Sequence, residues 1–342
     1  MSVMAAVSSC RYTFDLTGLS DKGKIYMVCI PGGSDTTIFE LKSTVPLAGS
    51  GAKPASVENA AVSFSVNGSP EKLLLSDGSD PRIPEGSFYT LRKFAAGDVL
   101  DLSASAEGID DISAETVVPD RFPDVQTEIG LETEYNSFGQ YDALALKVSF
   151  RDDPASEDFY GIMVQGQVYY VRNFDTAQED FPAADYCYFP YVFTDDTQDI
   201  SSEKPELRVN YTGGNRLNED SSDPEMLLFN DGSFNGRIVE MSVNINYSQD
   251  FRYTMNTGTV ECRSRYRFIL FKLSPEFYDS IKAWYNRSYN LPYVEYVMSS
   301  PSFVYTNIRG GLGFFGAVNV SVSEWMDNPG DMKDMCPYSE SM

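Results

Sequence analysis

Histidine is missing from all 342 residues of this chain. Its absence removes Ser-His-Asp and Cys-His nucleophiles, His-bearing zinc sites and His-ligated haem. An enzyme built on this sequence would have to work through carboxylates, Tyr, Lys or Cys. Basic residues are scarce too: 26 Lys and Arg stand against 50 Asp and Glu, a net charge of −24. A field of that sign repels phosphate backbones and anionic membrane surfaces, which excludes nucleic acid as a partner. No apolar run reaches the length of a spanning helix. The five cysteines (Cys10, Cys29, Cys187, Cys262, Cys336) show no Cys-x-x-Cys spacing, so neither a zinc ribbon nor a redox motif is present. Their odd number suits a disulfide-bonded exported protein only if Cys10 is set apart. Asp195–Asp199 and Asn218–Asp223 offer oxygen ligands, but neither has the alternating acids, central Gly and closing Glu of an EF-hand loop. Both read as solvent-facing loops, and no metal or cofactor is expected.

What the chain has is aromatic residues and strand patterns. Hydrophobic residues make up 42% of it and aromatics 13%, with 22 Tyr and 22 Phe, the composition of an ordered protein rich in β structure. Met1 to Cys10 is a short apolar stretch with small residues before a cysteine, the pattern of the tail of a bacterial lipoprotein signal, with Cys10 as the lipidated residue. No basic segment precedes it, so the competing reading is a frayed N-terminus carrying a buried thiol. Residues 1–23 then form a tether. From 24 to 119 short apolar segments follow one another: Ile25–Ile30, Ile38–Leu41, Val57–Val66, Leu73–Leu75, Phe88–Leu91 and Val99–Ala104. Val62, Phe64 and Val66 alternate, and Asn67-Gly68 marks a hairpin turn. Strands this short and this closely spaced predict an immunoglobulin-like β-sandwich. Pro119–Asp124 reads as an extended linker. Residues 120–342 predict a larger β-rich domain, with strands at Leu144–Phe150, Phe159–Val164, Val168–Val171, Ile238–Tyr247 and Arg263–Lys272, the last alternating through Tyr266, Phe268 and Leu270.

One helix is expected, over 275–289. Ser274 is a good N-cap, Pro275 fits the first helical position and Glu276 suits the positive end of the dipole. Phe277, Ile281, Trp284 and Ser288 follow at helical spacing, with Tyr278 and Tyr285 widening the stripe. Four glycines within seven residues come next, in Gly310-Gly311-Leu312-Gly313-Phe314-Phe315-Gly316. The run lacks the Lys-Ser/Thr ending of a phosphate-binding loop and opens no helix, so it predicts a strand that kinks or bulges tightly against the helix.

Several phrases recur together in one family. They are Val57-Glu58-Asn59-Ala60-x-Val62, Ala96-Gly97-Asp98, Ala114-Glu115-Thr116-Val117-Val118-Pro119, Phe150-x-Asp152-x-Pro154 with Phe159-Tyr160, and Leu228-Phe229-Asn230-Asp231-Gly232-Ser233-Phe234-Asn235-Gly236. The last is Asn307-Ile308-x-Gly310-Gly311-Leu312-Gly313-x-Phe315-Gly316-Ala317. From about Ile25 to Val320 the chain resembles the Bacteroidetes lipoprotein family known as domain of unknown function 4249 (DUF4249). The resemblance implies a lipoprotein of the outer membrane, periplasmic or surface-facing, associated with a TonB-dependent transporter.

Candidate binding residues fall in the aromatic and acidic segment from Asp175 to Asp199. Tyr186, Tyr188 and Tyr191 supply flat faces, and Asp195 and Asp196 supply acceptors, as a sugar- or peptide-binding groove requires. A core strand followed by a solvated loop is the bland reading of the same residues. The expectation is an all-β, mainly antiparallel protein: an N-terminal sandwich, then a larger β-domain with one packed amphipathic helix. Its expected role is a non-enzymatic envelope protein, accessory or ligand-binding. Two alternatives stand: a fimbrial-type structural protein, and a carboxylate-based hydrolase whose paired acids come from distant strands.

Overall fold

The computed structural model describes residues 23–44, 55–136, 139–174, 187–190, 208–211, 217–218, 225–232, 234–246, 249–255, 258–289 and 305–335. In the first part of the chain lie β1 (Ile25–Cys29), β2 (Thr37–Ser43), β3 (Ala61–Val66), β4 (Ser69–Glu71), β5 (Leu74–Leu75), β6 (Phe88–Thr90), β7 (Val99–Ser105) and β8 (Ile112–Val117). Then come β9 (Val125–Asn136), β10 (Gly139–Arg151), β11 (Phe159–Phe174), β12 (Cys187–Pro190), β13 (Arg208–Tyr211), β14 (Leu217–Asn218), β15 (Glu225–Asn230), β16 (Ile238–Asn246), β17 (Phe251–Met255) and β18 (Gly258–Leu273). The helix α1 (Pro275–Tyr289) follows, with β19 (Leu312–Phe315), β20 (Val318–Val322), β21 (Met326–Asp327) and β22 (Lys333–Met335) beyond it. The protein is mostly β and mainly antiparallel, as the aromatic, alternating sequence predicts.

The first sandwich packs the sheet β19-β1-β2-β6-β5 on the sheet β4-β3-β7-β8. Alternation decides what goes inside: Ile25, Met27, Phe39, Leu41, Phe64, Val66, Leu100 and Leu102 form its core. The hairpin turn falls where expected, Asn67 and Gly68 both adopting positive φ (52° and 74°) between β3 and β4. The segment Leu73–Leu75 yields only the two-residue β5, with both leucines exposed.

Residues 24–119 do not build this sandwich alone. β19 pairs in parallel with β1, Met27 opposite Gly313 and Cys29 opposite Phe315, so chain from the far end closes the first sheet. Ile308, Phe315 and Ala317 belong to the first core. The glycine run is what permits the approach. A Cβ on Gly313 (φ +96°) would stand 1.9 Å from the Met27 carbonyl oxygen, and one on Gly316 would stand 2.6 Å from the Phe277 nitrogen at the start of α1.

In the second unit the sheet β16-β10-β9 faces the long sheet organised on β11 and β18, which pair over their full sixteen residues. Leu144, Leu146, Val148 and Phe150 meet Tyr160, Ile162, Val164, Phe268 and Leu270 between them. The expected linker is extended, but it is no spacer: Phe122 is buried, with its ring 4.8 Å from Phe150 and 5.1 Å from Tyr160. Two prolines fix the backbone there, and the aromatic residue between them pins it into the second core.

The helix begins where its capping residues predict. The Ser274 hydroxyl oxygen accepts from the Phe277 N–H (3.3 Å) and from the Ala317 N–H (3.1 Å). Thr116 donates to Glu276 Oε2 at 3.0 Å, tying β8 to the first helical turn. Phe277 and Ile281 are buried, Phe277 stacking on Phe314 at 5.9 Å. With Ile30, Phe159, Met226, Phe271 and Tyr278 they form a third apolar cluster, which joins the first sheet to the outer face of the long one. Cys29 and Cys262 are free buried thiols.

Candidate functional site

The helix covers only part of the long sheet's outer face. Along β18, Leu273, Phe271 and Ile269 lie in or against the cluster under α1. The same alternation then continues through Arg267, Arg265 and Arg263, leaving three arginines in a row on one face. β11 sets Gln165, Gln167 and Tyr169 opposite them in register. Arg267 Nε donates to Gln165 Oε1 and Arg265 Nε to Gln167 Oε1, each at 2.6 Å. Trp325, on the segment between β20 and β21, lies against both guanidinium groups, whose central carbons are 4.3 Å (Arg267) and 4.6 Å (Arg265) from its ring centroid. The Tyr169 ring is 5.1 Å from Arg265. Cation–π contacts of this kind contribute about 0.5–2 kcal/mol each, depending on solvation.

The charges along the row are not equally matched. Arg263 makes an ion pair with Glu261 at 2.6 Å, and Arg252 reaches the same carboxylate at 2.8 Å. Hydrogen bonds from Arg263 and Arg252 hold the Glu261 carboxyl below the ordinary range. Arg265 has a neutral hydrogen-bond partner, the Gln167 amide, and two aromatic rings against it, with Asp327 in register opposite it on β21. Burial pushes the Tyr169 hydroxyl up, with Asp327 adding to it and Arg263 and Arg265 opposing it. A chain with net charge −24 therefore gathers positive charge, amide donors and an indole face on one patch. Such a patch can hold an anion in bidentate fashion beside a flat apolar surface.

Of the sequence-predicted binding residues, Tyr188 comes to this place. β12 pairs antiparallel with β11 and sets Tyr188 in register with Gln167, itself opposite Arg265. Tyr186, Tyr191, Asp195, Asp196 and the lipidation candidate Cys10 lie outside the described residues. The arginines, Gln165, Gln167 and Trp325 were not singled out from sequence. The signal for the arginines is there in Arg263-x-Arg265-x-Arg267, a charged alternation offset by one from Tyr266, Phe268 and Leu270. Trp325 carries no local signal.

A second constellation unites two of the sequence phrases. Asp152 and Tyr160 from one meet Asp231 and Gly236 from the other. The Tyr160 hydroxyl donates to Asp152 Oδ1 at 2.5 Å and lies 3.0 Å from Asp158 Oδ2, while the Gly236 N–H donates to Asp152 Oδ2 at 2.8 Å. Lys272 pairs with Asp158 at 2.8 Å, and the Asp158 N–H donates to Asp231 Oδ2 at 3.0 Å. Burial pushes Tyr160 far up, aided by both carboxylates; burial also raises Asp231. Exposure of Asp152, Asp158, Asp231 and Lys272 is 1, 4, 2 and 6%. Groups so sealed cross-link loops and offer no surface to a substrate. Among the described residues no group of three or more His, Cys, Asp or Glu could hold a metal ion, and no helix is long and apolar enough to cross a membrane.

Comparison with curated proteins and with solved structures gives no match. The chain does match the family described as Domain of unknown function (DUF4249) over residues 11–324, nearly its whole length, and it belongs to that family.

Proposed function

We propose that the protein is a non-catalytic binding component of the cell envelope that holds an anionic ligand on the arginine face of its long sheet. The observation that carries this reading is Trp325 lying on Arg265 and Arg267, whose Nε atoms are tied to neutral glutamines. Positive charge gathered on one face of an acidic protein, with Arg265 held by an amide and two aromatic rings, is what an anion-binding surface requires. The hydrolase alternative gains nothing from the best-formed carboxylate group, because Asp152, Asp158 and Asp231 are sealed. The test is a thermal-shift screen with small anionic and neutral compounds, each mixture followed by mass spectrometry. Anionic compounds should raise the melting temperature with their masses unchanged. Turnover of a compound, abolished by a single Asp→Asn or Glu→Gln change, would overturn the reading.

Anchoring at Cys10, which rests on the Met1–Cys10 pattern, and association with an outer-membrane TonB-dependent transporter, which rests on the family resemblance, complete the proposal. Cys10→Ser in the natural precursor should move the protein from the membrane pellet to the soluble periplasmic fraction. Unchanged pelleting counts against the anchor. Absence of a transporter among proteins co-purified from native membranes counts against the partnership.

A further inference from the structure

We infer that the corner formed by Arg265, Gln167 and Trp325 is a seat for an acidic sugar of the uronate type. The carboxylate lies on the Nη edge of Arg265 and one ring face lies on the indole. This inference rests on the binding role proposed above and names the ligand's chemical class. The first argument is the direction of the donors. Arg265 spends its Nε on Gln167 Oε1, which turns the Gln167 amide so that its Nε2 hydrogens face elsewhere. Gln167 is 9% exposed, and among the described residues its side chain bonds through Oε1 to Arg265, with no acceptor on those hydrogens. Donors of a buried amide are costly to leave unmet, so this corner favours an acceptor oxygen from a ligand.

The second argument is the guanidinium itself. With Nε occupied and its plane against Tyr169 and Trp325, Arg265 keeps its two Nη groups as a planar fork. That fork matches a carboxylate better than a single-point acceptor. The third is the half-buried Trp325, whose ring lies against both guanidinium groups. A pyranose ring offers a flat C–H face to such a plane and hydroxyl oxygens to the amide donors.

Net charge limits the rest. At −24 the chain repels ligands dense in phosphate, so the ligand carries few charges, each matched locally. One carboxylate per ring satisfies this. A neutral sugar makes no use of the Arg265 fork, whose neighbour Asp327 on β21 meets the Tyr169 hydroxyl, and a zwitterion brings an ammonium group up to an arginine row.

Isothermal titration of the full chain with trigalacturonate tests the inference, with the neutral trisaccharide of galactose and with benzoate as comparisons. Trigalacturonate should bind, more weakly at high salt, and the neutral trisaccharide should bind at least about tenfold less tightly. Arg265→Gln and Trp325→Ala should each weaken binding by about tenfold or more, with Trp325→Phe in between. Equal binding of the neutral sugar, or binding indifferent to both changes, overturns the inference. If Arg265→Gln does not fold, Trp325→Ala and the salt dependence of the unaltered protein decide. Benzoate binding as tightly as trigalacturonate would make the site a general carboxylate seat and sink the sugar assignment. Failure of trigalacturonate while another anion stabilises the protein through this face leaves the binding role standing and removes only the sugar.

Discussion

Gly313→Val should lower the melting temperature by about 10 °C or more and cost on the order of 4 kcal/mol, among the largest effects a single change produces. Two penalties coincide at this position. The backbone sits at φ +96°, where a β-branched side chain is strained, and the new Cβ would lie 1.9 Å from the Met27 carbonyl oxygen. Relief requires β19 to leave β1, and Phe315 and Ala317 leave the first core with it. Gly97→Ala separates the two penalties, because Gly97 also has a positive φ (+80°) but a Cβ there meets nothing within 4 Å. Its cost should stay near 1 kcal/mol. Differential scanning calorimetry of both variants decides the matter. Equal and small losses would mean that the far end of the chain does not close the first sandwich.

Lys272→Met should be the next most damaging change, at about 3–5 kcal/mol, because it leaves Asp158 buried without its counter-ion. The pair is 2.8 Å apart, with side chains only 7 and 5% exposed. Removing the second charge as well, in Lys272→Met with Asp158→Asn, should recover much of the loss, since the stranded carboxylate causes most of it. Urea unfolding of the two variants reads this directly. A neutral Lys272→Met would show that water reaches the pair, and the sealed character of the aspartate group would fall with it.

The features legible in the sequence are those written locally. Ser274-Pro275-Glu276 marks the helix start because capping needs only the neighbouring residues, and Asn67-Gly68 marks its hairpin for the same reason. The glycine run announces a tight approach, but not to what. Gly313 and Met27 are far apart in the chain, and no periodicity names the partner of a parallel strand. Phe122 shows the same limit: its prolines give an extended backbone, while its burial depends on Phe150 and Tyr160 arriving from elsewhere. The aromatic segment drew attention to Tyr188, which does pair beside Gln167. The arginines were passed over because Tyr266, Phe268 and Leu270 dominate the same stretch. Whether the opposite face is covered depends on how far α1 reaches, which no residue of β18 encodes.

Binding on the arginine face is tested most directly through Trp325, one of only two tryptophans in the chain. In Trp284→Phe protein Trp325 becomes the sole indole, and its emission can be followed while a compound that raises the melting temperature is titrated in. The emission should change along the binding curve, and Arg265→Ala should abolish both that change and the stabilisation. Stabilisation with Trp325 emission unaltered, or with affinity unaltered in Arg265→Ala, would contradict the account and move the site off this face.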